Sequence, residues 1–340
     1  METEAVPADA NGLDKLPGTI KAAYCPRYGS PDVIELREIA LPVLEENCVL
    51  IRIHAASLNA MDAGILKGKP FLVRLMFGLS RPKCSVPGRD VTGTVVAVGN
   101  GVTRFKTGDE VFGVCRGSCV EFACAKEAKL ALKPKDVTFE QAATLGIAAV
   151  TALQAVRKGD LQSGQRVLIN GAAGGVGTFS VQIAKAFGGV VTAVCGGNHV
   201  DLVRSLGADE VIDYSTTDFT QSGRRYDLII DNAAGRSIAD LKRVLTPEGR
   251  VVIAGAPRST SMWRLIFHML RPAVASRFGK QKFSLLMAKI DPDDMLALAK
   301  LVEEGKVNPA IERTYPLAEI REAFRYMLTG HVGGKLVIGV

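Results

Sequence analysis

One glycine-rich stretch decides the fold of this chain: Asn170-Gly171-Ala172-Ala173-Gly174-Gly175-Val176-Gly177. It lies between the apolar residues 167–169 and a segment with a helical pattern, residues 178–187. Glycine allows a tight turn after a strand and lets a ligand's pyrophosphate approach the backbone closely. The amino end of the following helix then offers free N–H groups to the phosphates. The stretch from Ala172 to Gly177 is therefore a candidate dinucleotide-binding loop.

The pattern around this loop predicts a doubly wound parallel sheet. Continuous apolar runs, typical of strands covered on both faces, alternate with helical segments. The predicted strands are residues 166–170, 190–195, 210–214, 226–232 and 250–254. The predicted helices are residues 178–187, 199–206 and 237–245. A glycine loop in this strand–helix context is a specific signal for dinucleotide binding.

The end of the second strand favours NADPH. An NAD site usually has an acid there, about 20 residues after the loop, to bind the ribose 2′-hydroxyl. Here no acid follows Cys195 until Asp201, inside the next helix. The residues expected to leave room for a 2′-phosphate or to contact it are Gly197, Asn198, His199 and Tyr214. The alternative for His199 is an exposed residue in the first turn of the helix.

Composition indicates a globular chain large enough for two domains. It has 340 residues, of which 47% are apolar and 23% charged. Residues 1–18 contain four acids and no apolar run, so they predict a disordered tail and not a signal peptide. Seven cysteines, an odd number, are typical of reduced thiols, and we expect a cytoplasmic protein. The net charge of +7 is only a mild excess.

Several motifs occur together in a fixed order along the chain. They are PGRDVTG at residues 87–93, GDEVFG at 108–113, LGADEVIDY at 206–214 and GKLVI at 334–338. With the glycine loop they resemble the medium-chain dehydrogenase/reductase superfamily, in particular its zinc-free quinone-oxidoreductase-like branch. That branch includes the chloroplast-envelope quinone oxidoreductase homologues.

The resemblance implies two domains. A barrel-like, β-rich (GroES-like) catalytic domain is expected at residues 19–143 and 286–340, and a Rossmann dinucleotide-binding domain at residues 144–285. It also implies an enzyme that transfers a hydride from NADPH to a quinone, or to the activated alkene of an α,β-unsaturated carbonyl. A homodimer is expected and nucleic-acid binding is not.

The resemblance also allows the zinc site to be examined. Zinc-containing relatives have a Cys where Asn59 stands and His-Glu where Arg89-Asp90 stand. Catalytic zinc needs three protein ligands, whereas an Asn amide is a poor ligand and Arg is none. The spacing of Cys115, Cys119 and Cys124 does not match the structural zinc lobe, and residues 117–122 predict a strand. No metal is therefore expected, which favours enone or quinone reduction, in which the substrate carbonyl delocalises the charge.

The remaining site residues follow from the resemblance. Thr151 and backbone near Gly255 should contact the nicotinamide end of the cofactor, Asn232 the ribose, and Asn59 the substrate cleft. The alternative for Asn59 is a turn-forming residue. Many relatives have a Tyr five residues later, where this chain has Gly64. The sequence therefore identifies no side chain as the proton donor, and water is a candidate.

Two basic, apolar segments have three open interpretations. They are residues 67–83 and 258–289, and no acid occurs between Glu248 and Asp291. Each is a lid over the active site, a weak peripheral membrane contact, or a buried helix with a solvated rim. Two alternatives to a reductase also remain, a zinc-type alcohol dehydrogenase and a non-catalytic, crystallin-like nucleotide-binding protein.

Overall fold

The computed structural model describes residues 16–255, 262–277 and 279–340, without the side chains of residues 262–266. Most of the expected disordered tail, residues 1–18, lies outside the described residues. Arg258 of the second basic segment also lies outside the described residues. Of Trp263 and Arg264 only the backbone is described.

Strands and helices are numbered in chain order. The strands are β1 (Thr19–Tyr24), β2 (Glu35–Ala40), β3 (Cys48–Leu58), β4 (Asp90–Val98), β5 (Glu110–Val114), β6 (Phe122–Lys126), β7 (Leu130–Leu132), β8 (Arg166–Asn170), β9 (Val190–Cys195), β10 (Glu210–Asp213), β11 (Tyr226–Asp231), β12 (Leu245–Ile253), β13 (Lys282–Leu285), β14 (Ile311–Pro316) and β15 (Lys335–Gly339). The helices are α1 (Ala60–Lys67), α2 (Phe71–Phe77), α3 (Phe139–Ala143), α4 (Val150–Lys158), α5 (Gly175–Ala186), α6 (Val200–Ser205), α7 (Ile238–Arg243), α8 (Met262–Ala275), α9 (Pro292–Glu303) and α10 (Ile320–Thr329).

The predicted parallel sheet is confirmed. Within the described ranges its strand order is β10-β9-β8-β11-β12-β13, and each neighbouring pair is parallel. The predicted bounds of β8 and β9 are correct. Helix α5 begins at Gly175, three residues before the predicted start, because the glycines themselves form its first turn. Strand β13 was not predicted, because its short run, KFSL, has little apolar character.

The catalytic domain contains a mixed sheet, antiparallel except for the parallel pair β14–β15, that a late strand completes. Its order is β14-β15-β3-β4-β5-β7, with β6 also pairing with β3. Strand β15 lies between β14 and β3, so residues near 337 are hydrogen-bonded next to residues near 57. The expected fold class, a GroES-like β-rich domain with a Rossmann domain, is confirmed. This arrangement brings the first residues of β15 to the boundary between the domains.

The predicted strand at residues 117–122 is wrong except at Val120, which forms an isolated antiparallel bridge with Ala22 of β1. Gly117 has φ +74°, a left-handed conformation that turns the chain. The N–H groups of Ser118 and Cys119 donate to the carbonyl oxygens of Gly88 and Pro87 instead of to a neighbouring strand. The strand in this region begins only at residue 122. The apolar pattern was produced by buried loop residues.

Helix α9 packs on the nucleotide-binding domain. Met295 and Leu298 are fully buried in the same apolar cluster as residues of α4 and α5. In the same region Arg157 of α4 forms an ion pair with Asp294. We therefore propose that the second domain boundary lies between α9 and β14, and not at residue 286 as the sequence suggested.

Where their side chains are described, neither basic segment is a fully buried helix. Every residue of α2 is at least partly exposed. In α8, His268 and Ala275 are buried while Phe267 and Leu270 are exposed. Arg271 points into the protein, where its Nη1 donates to the Arg236 carbonyl oxygen at 3.2 Å. Among the described residues, no helix is long and apolar enough to cross a bilayer.

The packing of α9 predicts a stability difference between two neighbouring residues. Met295→Ala removes a fully buried side chain, so we expect the free energy of unfolding to fall by about 2–5 kcal/mol. Leu296→Ala is the matched control, because Leu296 is 49% exposed and should cost less than about 1 kcal/mol. Urea denaturation of both variants measures the difference. Equal losses would contradict the packing of α9.

Candidate active site

The glycine loop joins β8 to α5 at the carboxyl edge of the parallel sheet. Gly171 has φ +76°, which side-chain-bearing residues rarely adopt. A Cβ atom on Gly177 would lie 2.1 Å from the Gly171 carbonyl oxygen, so only glycine permits this close packing. Ala172 and Ala173 are buried. Gly174 is the N-cap of α5 and supplies no side-chain cap, which leaves the first N–H groups of the helix open to an anion.

The loop also contacts the catalytic domain. The Gly334 N–H donates to the Ala173 carbonyl oxygen at 2.7 Å, and Gly174 and Gly334 form an isolated parallel bridge. A Cβ atom on Gly175 would lie 3.0 Å from Cδ of Lys335. Val176 packs instead against the apolar core of the nucleotide-binding domain. The loop and the start of β15 therefore meet where the pyrophosphate is expected.

Lys335 is the central residue of this junction. Its side chain is 2% exposed. Its Nζ donates to Asn59 Oδ1 at 2.7 Å, to the Leu58 carbonyl oxygen at 3.0 Å and to Asp90 Oδ2 at 3.3 Å. Removing an ammonium group from water costs several kcal/mol unless such partners are present. Because Asp90 is fully buried, each charge depends on the other.

The Asp90 carboxylate is bound on both oxygens. Oδ2 accepts hydrogen bonds from Ser57 Oγ and Asn59 Nδ2, both at 2.9 Å. Oδ1 accepts the backbone N–H of Ile147 at 2.8 Å, and the carbonyl oxygen of Ile147 accepts Thr151 Oγ1 at 2.6 Å. The structure thus connects two predicted site residues, Asn59 and Thr151, through Asp90. Sequence reasoning missed Lys335 as the centre of this network, although its motif was recognised.

Asp62 fixes the other side of Asn59. Its Oδ2 accepts the Asn59 N–H at 2.7 Å, at the start of α1. Burial raises the pKa of the Asp62 carboxyl to about 6, although this hydrogen bond lowers it. Asn59 is therefore the N-cap of α1, which agrees with its interpretation as a turn-forming residue. Its side chain nevertheless faces the charged pair of Lys335 and Asp90. One N–H of its amide is left over for a cofactor or substrate oxygen.

A polar group lies next to the glycine loop at the ends of β8 and β11. Asn170 Nδ2 donates to Oδ1 of the buried Asp231 at 2.8 Å. The amide oxygen and nitrogen of Asn232 are both buried and have no hydrogen-bond partner among the described residues. A Cβ atom on Gly255 would lie 2.0 Å from the Asn232 carbonyl oxygen, so only glycine fits there. The unpartnered Asn232 amide is suited to hydroxyl groups of a bound ribose.

The third corner lies where β9 and β10 end. Tyr214 is 56% exposed, and its hydroxyl oxygen is 3.1 Å from the position of a Cβ on Gly196. Asn198 is exposed in the turn Gly197–His199. His199 Nε2 lies 3.1 Å from the carbonyl oxygen of His331, so its ring is turned toward the catalytic domain. The four residues predicted from the sequence are thus close together in the chain's fold.

This corner also contains an acid that sequence reasoning overlooked. Asp213 ends β10 and pairs in register with Cys195, and a Cβ on Gly197 would lie 2.7 Å from its Oδ2. The backbone N–H and hydroxyl of Ser215 both donate to Asp213 Oδ1, and the backbone bond is the main reason that its pKa is lowered. The sequence pattern for an NAD site considers only the end of β9, whereas Asp213 lies at the end of the neighbouring strand β10.

Known proteins support this architecture. The family model described as "Alcohol dehydrogenase GroES-like domain" matches residues 45–146, and "Zinc-binding dehydrogenase" matches residues 206–338. The quinone-oxidoreductase homologue of spinach is 34% identical over 326 residues, covering 91% of this chain and 95% of its own. The chain belongs to the medium-chain dehydrogenase/reductase superfamily.

Two further members of the superfamily are similar over most of their length. The chloroplastic NADPH-dependent alkenal/one oxidoreductase of Arabidopsis thaliana is 33% identical, covering 98% of this chain and 82% of its own. The solved quinone oxidoreductase of Coxiella burnetii is 30% identical with a TM-score of 0.82, covering 95% of this chain and 99% of its own.

The positions that correspond to zinc ligands in the superfamily have a different arrangement here. The Lys335 ammonium lies between Asn59 and Asp90, so a cation already neutralises this place. Arg89 is directed away, with its guanidinium 5.1 Å from the ring centre of Phe77. Burial raises the pKa values of the Cys115, Cys119 and Cys124 thiols, which disfavours the thiolate form that binds zinc. The donor set does not fit zinc.

The buried pair predicts non-additive stability effects. Lys335→Met leaves the Asp90 carboxylate buried without its counter-charge, so the free energy of unfolding should fall by about 3–5 kcal/mol. In the double variant with Asp90→Asn we expect at least about 1 kcal/mol of this loss to be recovered, because no uncompensated charge remains. Urea denaturation of the two single variants and the double variant gives the coupling.

Lys133→Met is the matched control for this cycle. Lys133 has an equally buried side chain, but its partner Glu110 is half exposed and can be solvated after the change. Lys133→Met should therefore lower the free energy of unfolding clearly less than Lys335→Met does. Strictly additive losses for Lys335 and Asp90 would show that the pair is not coupled.

Proposed function

We propose that this protein is a zinc-independent oxidoreductase that transfers a hydride from NADPH to a quinone or to the activated alkene of an α,β-unsaturated carbonyl. The observation that carries the proposal is the Lys335–Asp90–Asn59 network beside an uncapped glycine loop. The names of the relatives, quinone oxidoreductase and alkenal/one oxidoreductase, support the substrate class.

Three features would hold the cofactor. The open amino end of α5 would bind the pyrophosphate, and the adjacent Lys335 would add positive potential there. The unpartnered amide of Asn232 would bind the ribose next to the nicotinamide. Thr151 and the backbone at Gly255 would border the nicotinamide ring. A bound reduced nicotinamide supplies the hydride, and the protein's task is to position it.

The substrate would bind close to Asn59. Without a Lewis acid, an alkoxide has little stabilisation, whereas an enone or quinone spreads the incoming charge onto its carbonyl oxygen. The free N–H of the Asn59 amide is placed to donate to such an oxygen. Gly64 has no side chain where many relatives have Tyr, so we propose that the proton comes from water.

The preference for NADPH is supported by His199, Asn198 and Tyr214 around Gly197. Asn198 and Tyr214 can donate a hydrogen bond to a 2′-phosphate, and His199 can do so once its ring turns away from the His331 carbonyl oxygen. Asp213 would oppose a phosphate, because the hydrogen bonds from Ser215 keep its carboxylate ionised. Of the two effects, we propose that the donors prevail.

Assembly and location complete the proposal. Strand β13 is an edge of the parallel sheet within the described residues, and an open edge can pair with the same strand of a second copy. A homodimer is therefore proposed. The seven cysteines are all free, as suits the proposed cytoplasmic location. Some relatives have chloroplastic or mitochondrial in their names.

The activity predicts a clear order among substrates. The purified protein, treated with a chelator, should consume NADPH with an alkenal or a benzoquinone. We expect kcat/KM to exceed that for the saturated aldehyde of equal length by at least about a hundredfold, because the latter needs alkoxide stabilisation. Elemental analysis should find no stoichiometric zinc.

Two results would overturn this assignment. Activity on a primary alcohol that is lost with the chelator would indicate a zinc-type alcohol dehydrogenase. Tight NADPH binding with no turnover on any member of the panel would indicate a non-catalytic, crystallin-like protein.

The cofactor preference predicts a difference between two dissociation constants. NADPH should bind at least about tenfold more tightly than NADH, a difference of about 1.4 kcal/mol. His199→Asp should remove most of this difference, because a carboxylate repels the 2′-phosphate. Ser205→Asp introduces the same charge at an exposed site farther along α6 and serves as control. Titration calorimetry measures the values, and equal constants in the native protein would refute the preference.

A further inference from the structure

Both basic segments lack acids, but they differ in what their cations contact. In the second segment Lys280 pairs with Glu248 at 3.4 Å. Arg271 is turned toward the Arg236 carbonyl oxygen. Two cations of this segment, Arg271 and Lys280, are therefore already in contact with polar groups of the protein.

The first segment presents free positive charge. No acid occurs from residue 63 to residue 89. The cations exposed around α2, none with a hydrogen-bonding or ionic partner within the described chain, are Lys67, Lys69, Arg81 and Lys83. Exposed cations without partners remain available to an external anionic surface.

The same segment exposes large apolar side chains. Their exposed fractions are 56% for Phe71, 54% for Leu75, 61% for Met76 and 63% for Leu79. Phe71 and Leu75 are one helical turn apart and share a face of α2. Apolar side chains between cations suit the boundary between lipid headgroups and acyl chains.

This surface is held in place by contacts on its inner side. The Tyr28 hydroxyl donates to the Gly78 carbonyl oxygen at 2.5 Å, and the Arg74 guanidinium lies 4.8 Å from the Tyr28 ring centre. Arg89 stacks on Phe77 in the same way. Phe71, Leu75 and Met76 are therefore displayed by a docked helix, and Leu79 follows its end. Their exposure is not that of a loose loop.

A polar cleft adjoins the end of α2. It has a volume of about 440 Å³ and is lined by Tyr24, residues 78–83 and Ser85. Two of the free cations, Arg81 and Lys83, are among its lining residues. A phosphodiester is small enough to enter such a cleft and is opposite in charge to the two cations that line it. Cations, a cleft for phosphate and an apolar surface thus lie together.

We propose that residues 67–83 form a docking surface for an anionic phospholipid bilayer. Lys67, Lys69, Arg81 and Lys83 attract the headgroups, and Phe71, Leu75, Met76 and Leu79 enter the interface. An acidic protein would satisfy the cations but would leave the apolar side chains to be covered separately. The surface does not depend on the proposed reductase activity, so the two can fail separately.

Vesicle flotation of the full chain tests the proposal. At about 0.01 M ionic strength the protein should float with phosphatidylcholine vesicles containing phosphatidylglycerol, and hardly with phosphatidylcholine alone. At about 0.15 M the binding should weaken, because the screening length shortens. Arg81→Glu with Lys83→Glu should lower the partition coefficient at least about tenfold. Leu75→Ser with Met76→Ser should lower it by a similar factor.

Two double variants provide matched controls. Lys106→Glu with Lys126→Glu makes the same charge change at exposed positions elsewhere on the catalytic domain. Phe267→Ser with Leu270→Ser removes exposed apolar side chains from α8. Both should leave vesicle binding within about twofold of the native protein.

Other outcomes would overturn the proposal. Equal losses in the test and control charge variants would indicate a general effect of net charge. Unchanged vesicle binding with a raised KM for a bulky enone in the Leu75→Ser, Met76→Ser variant would make α2 a lid. If the same variant formed a smaller assembly in light scattering while its vesicle binding stayed unchanged, the surface at residues 67–83 would be a contact with a second copy of the chain.

Discussion

The ion pair between Lys335 and Asp90 is the constraint on which the rest of the structure depends. Both charges are buried, so each must find its partner before the protein is stable. The pair joins the start of β15 to the start of β4, and Asp90 also binds the backbone at Ile147. Because Gly334, next to Lys335, bonds to the glycine loop, the same contact sets the position of one domain against the other.

The pair also explains which chemistry the cleft favours. An ammonium group with three fixed acceptors supplies positive potential but offers no open coordination position to a substrate oxygen. Substrates that delocalise their own developing charge are the least affected when an ammonium group takes the place of a Lewis acid. The sequence shows that zinc ligands are missing at Asn59 and Arg89. The structure shows that the Lys335 ammonium lies beside Asn59 in place of a metal ion.

The sequence predicted those parts of the fold that local patterns determine. Strands β8 and β9 and the glycine loop could be placed because apolar runs and glycines report directly on burial and turns. Lys335 and Asp213 could not, since each becomes significant only through a partner brought near by sheet pairing. The loop at residues 117–122 was mistaken for a strand because buried loop residues are as apolar as strand residues. The packing of α9 against α4 and α5 could not be predicted, because amphipathic helices do not specify the core they join.

The position of β15 within the catalytic sheet has a consequence for biosynthesis. Its neighbour β3 is made early, and the whole nucleotide-binding domain is translated between the two. On the ribosome, the early strands must therefore wait with an open sheet edge, while the parallel sheet has all its strands and can fold first. An exposed edge of this kind is a template for unwanted pairing, so the nascent chain should depend on chaperones that shield β3 until β15 emerges.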